Sequence, residues 1–148
     1  MMRALLLLTV LGLTGAAHAA TIPYENWEAQ PGGLWTGGSG ACAMREELHP
    51  QTFGALTTQD AAAKFAVRLQ QTLAAQKLGS VVTQAVERPG QWGVLASYLY
   101  SENGERYKVV QLYVSSAGKL RTFTGSAKEN EYDQCVTDMQ AFVRYLAN

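Results

Sequence analysis

The dipeptide Asn103-Gly104 lies between two segments of near-equal length, QWGVLASYLYS and ERYKVVQLYVS, and it constrains this chain more than any other local feature. An Asn-Gly pair accepts positive φ at both positions, as a two-residue type I′ turn requires, so the stretch predicts a β-hairpin. With these residues as the turn, Glu102 faces Glu105 and pairing runs outward: Tyr100 opposite Tyr107, Tyr98 opposite Val109, Ala96 opposite Gln111, Val94 opposite Tyr113. That face is aromatic, with Trp92 near Ser115. The other face is aliphatic: Leu95 opposite Leu112, Ser97 opposite Val110, Gly93 opposite Val114, Leu99 opposite Lys108. A slip of one residue would scramble the segregation, because side chains alternate across a sheet.

Two more strands flank the hairpin. SVVTQAVE (80–87) is rich in β-branched residues and ends at the turn signal Arg88-Pro89-Gly90; KLRTFTG follows Ala117-Gly118 as a second hairpin. A helix is expected over 58–78, with Thr57 and Asp60 at capping-box spacing, Ala62, Phe65, Ala66, Leu69 and Leu73 on one face, and Gly79 as its stop. A second is expected over 127–146, with Ser126 and Glu129 at its start. Its apolar stripe runs Tyr132, Cys135, Val136, Met139, Phe142, Val143, Leu146.

Residues 20–56 lack a sustained period and read as an N-terminal wrap with a Gly-rich loop, joined in one domain to a core at 57–148. The fold class is α+β: an antiparallel meander of four or more strands, a helix before it, and a C-terminal helix packed on one face. The aliphatic face is expected under the helices. The arrangement resembles, in architecture alone, small exported folds that include the Mog1/PsbP-like sandwich, an alternative description of the same order; no function comes with it.

The first residues, MMRALLLLTVLGLTGAAHAA, combine a positive start at Arg3, an apolar run too short to span a bilayer, and small residues ending at Ala19. Residues 1–19 therefore read as a signal peptide and the protein as exported, periplasmic or extracellular, with no membrane anchor after cleavage. Cys42 and Cys135 are the two cysteines; in an oxidising compartment they are expected to pair. Lys+Arg and Asp+Glu number 12 each, so there is no field to attract nucleic acid.

The stretch GGLWTGGSGAC (32–42) raises the question of an active-site loop. A phosphate loop is excluded by glycine where its lysine belongs. Ser39 matches a nucleophile elbow except at the last glycine, and His49 is the one histidine after the signal segment, with Glu46 or Glu47 as an orienting acid by nearness alone. The bland reading gives the glycines the task of turning the backbone beside a disulfide. One histidine and no C-x-x-C leave zinc without a ligand set, and Glu129, Glu131 and Asp133 lack the spacing of a calcium loop.

No cofactor is expected, and the residues favour a binding domain over an enzyme. Its small ligand or protein partner would meet Tyr98, Tyr100, Tyr107 and Tyr113, with Gln111 as a polar anchor. The structural reading of the same face is a second core layer, covered by the wrap with Trp27 and Trp35. Two alternatives stand beside these: a small serine hydrolase using Ser39 and His49, and a structural or inhibitory envelope protein that exposes Trp35 at a loop tip.

Overall fold

The computed structural model describes residues 21–147; the segment 1–19, read as a signal peptide, lies outside them. Seven strands form one antiparallel sheet: β1 (Trp27–Gln30), β2 (Leu34–Gly37), β3 (Cys42–Thr52), β4 (Gly79–Arg88), β5 (Gln91–Glu102), β6 (Glu105–Ser116) and β7 (Lys119–Lys128). Two helices, α1 (Gln59–Ala75) and α2 (Gln134–Ala147), complete an α+β architecture. In space the strands run β1-β2-β3-β7-β6-β5-β4, so β4–β7 form the expected meander.

The β5–β6 hairpin has the expected register, from Glu102 opposite Glu105 to Val94 opposite Tyr113. Asn103 and Gly104 have φ of 51° and 79°, both in the left-handed region a type I′ turn needs. The N-terminal wrap consists of three strands that extend the same sheet beyond β7. Pro50 is tolerated in β3 because β2 pairs only as far as Arg45, leaving the far half an edge, and pairing with β7 is irregular between Leu48 and Thr52.

Both helices start later than the sequence suggests. Thr58, not Thr57, caps α1, its Oγ1 accepting from the Ala61 amide at 3.1 Å. The helix ends at Ala75 and reverses through Lys77 (φ 61°), while Gly79 already begins β4. Ser126 and Ala127 belong to β7, and α2 is capped instead by Asp133, whose Oδ1 accepts from the Cys135 amide at 2.9 Å. Tyr132 therefore falls before the helix and is 92% exposed. Here strand pairing overrode the local helical period.

The helices lie on opposite faces, which corrects the expectation that both cover the aliphatic one. From β3 the chain must reach the far edge at β4. It passes over the strand ends, with Ser115 Oγ donating to the Phe53 carbonyl (2.6 Å) and the Trp92 amide to the Leu56 carbonyl (2.7 Å). That path sets α1 on the aromatic face, where Ala66, Leu69 and Leu73 pack on Val94, Ala96, Tyr98 and Tyr113. Phe65 sits edge-on to Phe53 and Tyr113. On the aliphatic face α2 buries Val136, Met139, Phe142 and Val143 against Met44, Val110, Leu112 and Phe123. Trp27 and Trp35 pack at the margin of this second core, not over the tyrosines.

Cys42 and Cys135 form the expected disulfide, fastening β3 to the first turn of α2. The glycines of the loop serve it: at Gly38 (φ 57°) a Cβ would lie 2.8 Å from Cys135 Sγ and 2.6 Å from Asp133 Oδ1. The bridge spans 93 residues. Its removal by the paired Cys42→Ala, Cys135→Ala change is expected to cost about 4 kcal/mol in the chain-entropy picture, read as a lowered denaturant midpoint in chemical unfolding.

Candidate functional site

The aromatic face is divided by α1. Tyr113 is largely covered and donates through its hydroxyl to Gln111 Oε1; Tyr98 reaches the same oxygen at 3.5 Å, and Gln111 Nε2 donates to Thr124 Oγ1 at 2.8 Å. Gln111 is thus the hub of a satisfied network. Burial raises the Tyr98 phenol, and raises Tyr113 further with the neighbouring Tyr98 charge as a second cause. Tyr107 is half-buried and Tyr100 is 40% exposed, their ring centroids 6.4 Å apart and tilted.

The hydrolase pair does not assemble. His49 projects from β3 onto Thr122 Oγ1 at 2.9 Å, with Glu47 beside it at 3.7 Å. Ser39 lies in a single 3-10 turn before the other end of that strand. Seven strand steps from Cys42 to His49 alone span about 23 Å. Glu46 is engaged by Arg121 instead. Trp35, within β2 and packed on the core, is not at a loop tip, so the observation required by the envelope-protein alternative is missing too.

Six inter-strand steps make the sheet about 29 Å wide, whereas a helix with its side chains is about 10–12 Å across. A helix laid along the strands therefore covers well under half of its face, and the two uncovered parts lie diagonally opposite. Beyond α1, over β7 and β3, the accessible side chains are mostly polar, Thr124, Ser126, Arg45 and Glu47, with Leu34 and Ala43 among them. That is the ordinary composition of a solvated sheet.

Beyond α2, over β4 and β5, the composition is different. Val82, Val86, Leu95 and Leu99 project into a groove whose far wall is Met139, Gln140, Arg144 and Ala147 of α2. Val82 is 57% exposed. The groove has two compartments of about 290 Å³ and 310 Å³ that share Ser97, Val110 and Arg144. This site was missed at the sequence level, although a signal was present. SVVTQAVE carries valines on both faces, as a strand covered on both sides does, yet on the α2 side β4 is covered only toward its Arg88 end, where Arg88 Nε donates to the Leu146 carbonyl at 2.8 Å.

A larger crevice of about 770 Å³ opens between Trp27, the Gly38–Gly40 turn and the start of α2. Glu25, Glu28, Asp133 and Asp138 line it with no cation. Among the described residues no group of three His, Cys, Asp or Glu side chains could hold a metal ion, and no helix is long and apolar enough to cross a membrane.

No protein-family model and no curated protein sequence matches this chain. Among solved structures it is similar to the cyanobacterial PsbP protein (CyanoP) of Synechocystis sp. PCC 6803, with 16% identity and a TM-score of 0.51 over 79% of this chain and 78% of that one. A protein of unknown function from Pseudomonas aeruginosa, PA94, aligns at 14% identity and a TM-score of 0.45, covering 71% of this chain and 80% of the other. The first likeness shows a PsbP-like fold, in keeping with the architectural alternative read from the sequence, and shows the fold alone.

The Gln111 network gives a testable pH dependence. The raised phenols favour the neutral form in the folded state, so their contribution to stability is whole below the ordinary value of 10.0 and declines as pH rises above it. Phenolate absorbance should show a late-titrating class above that value. Gln111→Leu, which strands the Tyr113 hydroxyl, should cost about 1–3 kcal/mol in thermal unfolding below it.

Proposed function

We propose that this chain is a non-enzymatic binding domain of an exported protein, and that the groove between α2 and strands β4–β5 seats its ligand. One observation carries the reading: of the two uncovered parts, the one beside α1 is mainly hydroxyls and charges with Leu34 and Ala43 at its margin, whereas the one beside α2 exposes Val82, Val86, Leu95 and Leu99 around Gln84 and Ser97. Val82 is exposed, and Val86, Leu95 and Leu99 keep part of their surface open; covering that apolar area would contribute about 25 cal/mol per Å². A pocket with an apolar floor and a few polar groups at its margin is the usual form of a small-molecule site. The Cys42–Cys135 bridge supports export, because such bonds persist in oxidising compartments.

The Tyr98, Tyr100, Tyr107, Tyr113 and Gln111 face is a second reading, as a surface for a partner chain. It is favoured by the exposed Tyr100 beside Tyr107, with Tyr113 reached through Gln111.

Ser97 is exposed and lines both compartments of the groove, so a bulky replacement there plugs them without entering the core. The neutral dye N-phenylnaphthylamine should bind the folded protein with enhanced fluorescence. Ser97→Trp should abolish that signal at an unaltered melting temperature. Undiminished dye binding by the plugged variant would remove the groove from consideration.

A further inference from the structure

Resting on the groove reading, we propose that the ligand is a single-chain anionic amphiphile: an acyl chain along the apolar floor with a carboxylate head held between Lys108 and Arg144. The groove lining holds two cations and no carboxylate. The cations are grouped, Lys108 in one compartment and Arg144 shared by both, while Val82, Val86 and Leu95 lie in the other.

Both cations have capacity to spare. Among the described residues Arg144 forms no ion pair, and it is exposed on the groove side of α2. Lys108 makes one long hydrogen bond, donating to the Glu131 carbonyl at 3.4 Å, and so retains donors for an anion. Near the head, Gln140, Ser80 and Ser97 add neutral polar groups. With the guanidinium at the junction of the two compartments and the ammonium in the one beyond it, the Val82–Val86 compartment is left free of charge, which matches a carboxylate followed by methylenes. A neutral lipid would leave both cations unused, and a cationic amphiphile would be repelled.

The test compares dodecanoate, dodecanol and dodecyltrimethylammonium, each below its micellar concentration, by displacement of N-phenylnaphthylamine from the intact protein. Dodecanoate should displace the dye on the order of tenfold more tightly than dodecanol, from charge-assisted hydrogen bonds to the head. The ammonium compound should be the weakest. Lys108→Gln with Arg144→Gln should bring dodecanoate down to the affinity of dodecanol. Equal affinities for acid and alcohol in the unmodified protein would overturn the anionic head while leaving the groove as an apolar site. If no amphiphile displaced the dye and Ser97→Trp had no effect on it, the groove reading would fall as well. Co-sedimentation with phosphatidylglycerol vesicles, without dodecanoate binding, would replace the free amphiphile by a membrane surface and overturn the proposal.

Discussion

The register of one hairpin underlies the structure. Because Asn103 and Gly104 close a two-residue turn, every residue of β5 and β6 is assigned to a face, and these two strands lie inside the sheet. Their outward sets become the floors of two separate cores: Val94, Ala96, Tyr98 and Tyr113 under α1, and Val110, Leu112 and Val114 under α2. A shift of one residue would exchange the floors, setting an aromatic layer against Met139 and a β-branched layer against Leu69. Neither helix was shaped to meet that surface.

A sheet of this width with one helix on each face leaves part of each face uncovered, and the two parts were treated differently. Hydroxyls, an arginine and a glutamate meet water on one. Valines and leucines flanked by a lysine and an arginine meet it on the other. The disulfide contributes to this arrangement by fixing the N-terminal end of α2 over β3. From there the helix crosses toward the Arg88 end of β4, where Arg88 Nε donates to the Leu146 carbonyl, and β4 and β5 stay open beside it around Val82, Ser97 and Leu99. The elements that hold the fold are also those that keep the groove from closing.

Much of the fold was legible in the sequence, including the hairpin register, the four meander strands, both helices and the cysteine pairing. Helix boundaries were less so. Ser126-Ala127-Lys128 has a respectable helical start, but its amides and carbonyls find partners in β6 and β3, and a paired strand outcompetes an isolated first turn. The N-terminal wrap was legible only as short strands or coil, because β1 and β2 are four residues each, too short to display an alternation. The proposed aromatic site was legible as a face, but not its partial cover by α1. Of the groove, only the unalternating valines of β4 gave notice; Arg144 reads in sequence as one more polar position on an amphipathic helix.

The sequence by itself determined what steric pleating and turn chemistry settle locally: which residues share a face, where the chain reverses, and which two sulfurs can meet. Only the tertiary structure decided which helix covers which face. That choice depends on the path from β3 to the far edge at β4, across the ends of three intervening strands, which no local pattern records. The groove follows from the same choice. Its walls come from β4, β5, β6 and α2, with lining residues as far apart in the chain as Ser80 and Ala147, brought together by burial of two cores rather than by any motif.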